Sequence, residues 1–279
     1  MTANAPDSKP EIKKLDLLLR VAVFVVIGWV GMRAFAILML PVGGLLVAST
    51  LSTFAAGALA NVLVSRLFGS GRPDDFGLGW QELSGRELLT GWACGAGAAV
   101  TVMGIPLLFG LARFEPVAEQ VPHRWVALLL VSAALLFGAA GEEMLFHGYA
   151  FQILTRGMGA FATILPVGVI FGLAHLGNEH PSAGGVGNTV VWGVLLGYVT
   201  WRTGALWFPI GMHFGWNVIL PLFGVNLSGF TIGLTGFTLH WSVGTLWSGG
   251  AYGPEGSLLT TVAVIGLFWV VGRVTKERE

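Results

Sequence analysis

Charge is what this sequence has least of. Asp, Glu, Lys and Arg make up 11% of the 279 residues, less than half the roughly 25% of a soluble globular chain. The deficit runs along the whole length while hydrophobic residues reach 54%, which points to a polytopic membrane protein. Acidic and basic residues balance at 15 each, and no basic block occurs, so nothing suggests a nucleic-acid partner. A single cysteine, Cys94, excludes an internal disulfide and a multi-thiolate metal site. It is expected to pack as a small apolar residue in a helix. All four aspartates lie at or before Asp75, leaving none for an aspartyl dyad in the later apolar runs. H-E-x-x-H and G-x-S-G are also missing, which removes the zincin signature and the usual cue for an intramembrane serine site. The run from His175 to His180 is one residue too long for H-x-x-E-H and crosses a Gly-Asn break.

What fills the chain is long apolar runs, continuous and not alternating with polar residues, so helices are expected and not a barrel. The 42 glycines suit close helix packing, with Gly91/Gly95, Gly168/Gly172, Gly193/Gly197 and Gly211/Gly215 read in that way. The fold class expected is all-α, with about eight transmembrane helices. The spans are read as Leu17–Leu40, Val42–Phe68, Leu88–Leu111, Trp125–Leu154, Ala160–Gly177, Gly187–Trp201, Ala205–Phe223 and Leu258–Val274. With both termini cytoplasmic, the inner segments receive Lys9, Lys13, Lys14, Arg66, Arg86, Arg156, Arg202, Arg273, Lys276 and Arg278 among others, and the outer ones only Arg113 and Arg124. That asymmetry is what the positive-inside rule requires. The expected location is a bacterial-type plasma membrane. Residues 69–87 read as a cytoplasmic connector touching the interface through Phe76 and Trp80. Residues 224–257 read as an outer loop, with Trp241, Trp247 and Tyr252 suited to the membrane surface. The whole, 1–279, is expected to be one membrane-embedded domain. It comprises a tail (1–16), N-terminal spans (17–124), a catalytic core (125–223), the outer loop, and a last span with its tail (258–279).

Against this background two adjacent glutamates, Glu142 and Glu143, stand out in the run WVALLLVSAALLFGAAGEEMLFHGY. A carboxylate in hydrocarbon costs several kcal/mol unless it is paired, protonated or facing a wet cavity. Neighbours on a helix diverge by about 100°, so the two must serve different purposes. His147, four residues after Glu143, shares its face, as Asn217 does with His213 and His175 with Phe171. At 1.5 Å per residue, Glu142 lies ~20 Å and His213 ~16 Å from their cytoplasmic arginines, and His175 on the order of 25 Å. All three therefore reach mid-membrane, where they can line one cavity. A desolvated carboxylate can take a proton from water. A neutral histidine can orient that water, and histidine with asparagine can hold a developing oxyanion. Glu142, His175 and His213 could equally hold Zn²⁺ or another divalent metal.

The three segments Glu142-Glu143-Met144-Leu145-Phe146-His147-Gly148, Phe171-Gly172-Leu173-Ala174-His175 and His213-Phe214-Gly215-Trp216-Asn217 resemble, in order and separation, E-E-x-x-x-R-G, F-x-x-x-H and H-x-x-x-N. These are the motifs of the CPBP family (CAAX protease and bacteriocin-processing, also called Abi). The segment Ser248-Gly249-Gly250-Ala251-Tyr252-Gly253-Pro254-Glu255 is similar to one that follows the third motif in many bacterial members. The resemblance implies an intramembrane endopeptidase related to the type II CAAX prenyl proteases, acting on membrane-bound or lipid-modified protein substrates. It implies Glu142 as the base, His175 as its partner in activating water, and His213 with Asn217 at the oxyanion. Glu143, His147 and Phe171 would support them. One position departs: His147 stands where the family has arginine, and a Glu143–His147 pair is still expected from the spacing.

Two rival readings use the same residues. One is a non-catalytic relative of this fold that binds a membrane partner in immunity or secretion, with His147 as its foothold. The other is a proton-coupled transporter with the acidic pair as relay, which the lack of an inverted repeat or a second acidic centre in the spans argues against.

Overall fold

The computed structural model describes residues 14–117 and 123–275. Lys9, Lys13, Lys276 and Arg278, counted above as cytoplasmic charges, fall outside the described residues. The described residues are 78% helical, so the all-α expectation holds. Its helices are α1 (Lys14–Phe68), α2 (Ser84–Leu108), α3 (Arg124–His147), α4 (Tyr149–Met158), α5 (Ala160–Ala174), α6 (Ala183–Thr203), α7 (Trp207–Leu222), the single turn α8 (Thr245–Ser248) and α9 (Leu258–Val274). Among the described residues, Lys14–Phe68, Ser84–Leu108, Arg124–Met158 and Ala160–Gly177 are long and apolar enough to cross a membrane, and Leu258–Val274 is a shorter apolar helix.

Unbroken, the 55 residues of α1 would reach about 80 Å, far beyond a hydrocarbon core of about 30 Å. The helix instead breaks at Gly44 (φ 69°, ψ −171°), a backbone region open to glycine and closed to most other residues. The two arms then fold back on one another, so that Gly28 faces Ala60 and Gly31 faces Ala56. The sequence boundary was set at Pro41, yet Pro41 lies within the helix. Proline removes one hydrogen bond, whereas the reversal requires the positive φ of the glycine three residues on.

The expected span Trp125–Leu154 also divides, at Gly148 (φ −75°, ψ −140°), where α3 ends and α4 begins. Asn61 of α1 repairs this break. Its side-chain amide donates to the carbonyls of Gly57 (2.7 Å) and Met144 (2.8 Å), and its Oδ1 accepts from the Tyr149 N–H at 2.7 Å. Helix ends leave such groups unpaired, and here the polar side chain of a neighbouring helix satisfies them.

The helices pack chiefly as the pairs α1 with α3, α2 with α7, and α5 with α6. The α2–α7 pair is the tightest: a Cβ on Gly91, Gly95, Gly211 or Gly215 would fall against the backbone of the other helix. Small residues at such a crossing let backbones touch. Ser182 and Ser257 cap α6 and α9 by accepting from Gly185 N–H (3.0 Å) and Thr260 N–H (3.1 Å), as N-cap serines do.

Two strands lie outside the helical expectation. β1 (Ala112–Pro116) pairs antiparallel with β2 (Phe237–Trp241), in the register Ala112↔Trp241 to Pro116↔Phe237. They tie the α2–α3 connection to residues 224–257, which fold inward over the bundle. Tyr252 accordingly is 1% exposed, with its ring against Gly185, and does not sit at the membrane surface. Phe76 is likewise buried in a cluster with Leu17, Phe24 and Tyr149. Trp80 of the same connector stays exposed and meets Trp207 edge-to-face at 4.9 Å.

Candidate active site

The penultimate turn of α3 carries both glutamates, and they part as the helix geometry requires. Glu143 is wholly buried, while Glu142 keeps 30% of its side chain exposed and faces a cavity of about 1110 Å³. His175, His213, Asn217 and Phe171 line the same cavity. Residues from three separate sequence segments thus meet at one place.

Glu143 is held by two rings. Its Oε2 lies 2.8 Å from Nδ1 of His147 and its Oε1 lies 2.8 Å from Nδ1 of His213. With the carboxylate accepting, each histidine donates from Nδ1, which fixes the orientation of each ring. The i, i+4 pair expected between Glu143 and His147 is therefore made. The second bond, to the third motif, was not anticipated, and through it Glu143 turns Nε2 of His213 toward the cavity. Nε2 of His147 is buried with no hydrogen-bond partner among the described residues.

His175 follows the last residue of α5 and opens a short 3₁₀ turn, His175–Gly177. Its Nδ1 donates to the carbonyl of Phe171 at 2.8 Å, one of the carbonyls that a helix C-terminus leaves open. A carbonyl only accepts, so Nδ1 carries the proton and Nε2 of the neutral ring is a lone pair. That Nε2 stands 3.8 Å from Oε2 of Glu142, and Nε2 of His213 stands 3.9 Å from the same oxygen. Both gaps are too long for a direct hydrogen bond, and the Glu142 oxygen has no partner among the described residues. The spacing suits a bridging water.

Phe171 is the packing centre of this arrangement. Its ring lies 5.0 Å from those of Phe146 and His175, 6.0 Å from His213 and 6.2 Å from His147.

Sequence reasoning left two polar residues without a role, Glu255 being named only as the end of the segment Ser248–Glu255. Asn61 holds the α3–α4 break one residue beyond His147. A lone asparagine in an apolar run was its only signal. Asn61→Ala would strand the Met144 carbonyl and the Tyr149 N–H; at about 1–3 kcal/mol for each unsatisfied buried group, a loss of about 2–6 kcal/mol is expected, read as a lower unfolding midpoint in detergent. The other is Glu255, 8% exposed, which lines the cavity from the loop side. Its Oε1 accepts from Trp216 Nε1 at 3.2 Å, and its Oε2 accepts from the backbone N–H and the hydroxyl of Ser228. Burial pushes the Glu255 carboxyl above the usual carboxylate range, although the Ser228 and Trp216 donors pull the other way. Trp216 lies between His213 and Asn217 on α7, so this carboxylate connects the loop to the third motif.

Residues 122–219 match the model of the family described as Type II CAAX prenyl endopeptidase Rce1-like. That segment is a CPBP-family core. The match covers roughly a third of the chain and contains all three motifs with the helices that carry them. α1, α2 and the loop 224–257 lie outside it, yet each contributes to the CPBP core: α1 through Asn61, α2 through its seam with α7, and the loop through Glu255. No curated protein matches the chain.

A metal was the alternative for Glu142, His175 and His213. Two ligands on one tetrahedral zinc, each bound at about 2.0–2.1 Å, would lie about 3.4 Å apart, closer than the 3.8 and 3.9 Å found here. Among the described residues, no group of three or more His, Cys, Asp or Glu side chains is arranged to hold a metal ion. No step below runs through a metal ion.

Proposed function

We propose that this CPBP core hydrolyses peptide bonds of membrane-associated protein substrates by direct attack of water, with Glu142 as general base. The observation that carries the reading is the unpartnered Oε2 of Glu142, facing two histidine Nε2 atoms across 3.8 and 3.9 Å at the wall of a large cavity. A water in that gap donates one hydrogen to Glu142 and one to Nε2 of His175, leaving an oxygen lone pair free to attack. As the C–O bond forms, the proton passes to Glu142. His213, protonated at Nε2 while Glu143 holds its Nδ1, and Asn217 donate to the oxyanion. Collapse breaks the C–N bond, and the leaving amine takes the proton from Glu142. Atoms and charge balance with no covalent intermediate.

In this reading the chain crosses a bacterial plasma membrane eight times with both termini in the cytoplasm, and 1–279 works as one domain. The two arms of α1 count as two spans. Support for the orientation comes from the lysines and arginines gathered on one side.

The test compares the new peptide ends in membranes of cells making the wild type with those of cells making Glu142→Gln at equal level. Ends present only with the wild type are expected, and they identify the substrate. Their absence, with both proteins folded, would transfer the reading to a non-catalytic membrane partner. Proton-dependent transport without cleavage would transfer it to a transporter.

A further inference from the structure

Ahead of β2 runs a short stretch of backbone that belongs to no element. Phe230, Thr231 and Ile232 line the same cavity as Glu142, His175 and His213, and residues 231–234 form neither helix, strand nor turn. None of the four has a positive φ. Accessibility alternates along them: Thr231 and Gly233 are exposed, Ile232 is half-buried against the core, and Leu234 is buried. That is the two-residue period of an extended strand.

Both ends of this strand are pinned. Upstream, the N–H groups of Leu227 and Phe230 each donate to the other's carbonyl at 2.9 Å, which closes a tight turn on Ser228 (φ 49°) and Gly229 (φ 89°). Glu255 accepts from the Ser228 N–H, and the Tyr252 carbonyl accepts from the Gly229 N–H at 2.8 Å. Downstream, the Gly236 carbonyl accepts from the Val117 N–H at 2.9 Å, and β2 follows. Between these anchors the N–H and C=O groups of residues 231–234 have no backbone partner among the described residues. The carboxylate that grips the turn also holds Trp216, the residue before Asn217. The free edge therefore starts one side chain away from the third motif.

A substrate brings the matching need. Within a helix a peptide carbonyl is bonded along the axis and screened by the surrounding coil, so the bond to be cut must lie in extended chain. Unwinding frees N–H and C=O groups that are costly to leave unpaired where water is scarce. A strand edge satisfies them through main-chain bonds that tolerate many sequences, and an edge fixed at both ends loses little entropy in doing so.

Building on the hydrolytic reading, we infer that residues 231–234 are a substrate-binding edge. An extended segment of the membrane-associated substrate pairs with them as an added strand, and the pairing holds that segment beside Glu142, His175 and His213. Alternate residues of a strand turn their N–H and C=O groups to the same edge, which gives the pairing a signature of period two.

The test uses full-length Glu142→Gln in lipid nanodiscs, which cuts too slowly to disturb binding, and a fluorescein-labelled apolar peptide of leucine, valine and alanine. Methylating one peptide nitrogen at a time should weaken binding about ten-fold at every second position and leave the positions between unchanged, read by fluorescence anisotropy. Amide hydrogen exchange locates the partner: residues 231–234 should exchange fast in the free protein, and alternate ones should become protected when the peptide binds. No binding, equal tolerance of the methyl group at every position, or exchange at residues 231–234 unmoved by the peptide would overturn the inference. So would protection before any peptide is added, which would give the edge to a second copy of the chain. Period-two binding with no cleavage of the unmethylated peptide by the wild type keeps the edge and removes the hydrolytic reading. Cleavage without the period keeps hydrolysis and removes the edge.

Discussion

Glu142→Gln is expected to lower peptide hydrolysis by the purified protein about 10²–10⁴-fold, the usual scale for losing a general base, while the unfolding midpoint barely moves. The substitution is nearly isosteric. Oε2 of Glu142 has no hydrogen-bond partner among the described residues, so an amide there breaks no such bond of the fold. It removes only the group that accepts the water's proton. A large loss of stability in this variant would instead mark Glu142 as part of the packing, and a modest loss of rate would place the base elsewhere.

Glu143 should respond in the opposite way. It is fully buried and accepts from both His147 and His213, so Glu143→Leu leaves two buried ring N–H groups without an acceptor. Breaking a buried pair from one side costs about 3–5 kcal/mol, and the unfolding midpoint should fall accordingly. Replacing both partners is different, because a buried ion pair exchanged for apolar side chains of similar volume is often neutral. Glu143→Leu with His147→Leu is therefore expected to regain much of the stability. Activity should stay about 10²–10⁴-fold down, because His213 still lacks the carboxylate that sets its tautomer. Recovery of rate together with stability would reduce Glu143 to a helix clamp with no part in aligning His213.

The contrast shows which parts of the site were legible in the sequence. Spacing along single helices was readable: Glu143 with His147, and the divergence of Glu142 from Glu143, follow from four-residue and one-residue steps on one helix. The bond between Glu143 and His213 joins residues 70 apart, and no periodicity encodes it. Asn61 bonds across 83 and 88 residues; alone in an apolar run, it reads as ordinary interhelical glue. Glu255 was hidden by its place in a loop, where acids are normally solvated. Its burial depends on residues 224–257 folding over the cavity, anchored by strand pairing between β1 and β2. Turn chemistry was half legible. Pro41 marked the neighbourhood of the first reversal, but the residue that reverses the chain is Gly44. At Gly148 the run of apolar residues concealed a break that only a partner helix makes tolerable.

The most direct measurement of the central claim is hydrolysis in H₂¹⁸O by the wild-type protein, with product and protein both analysed by mass spectrometry. Direct attack by a water held at Glu142 predicts one ¹⁸O in each new carboxylate, no peptide covalently attached to the protein at any stage of a single turnover, and labelled product formed about 10²–10⁴-fold more slowly with Glu142→Gln. A trapped covalent adduct, or labelled product formed at close to the wild-type rate with Glu142→Gln, would contradict the account.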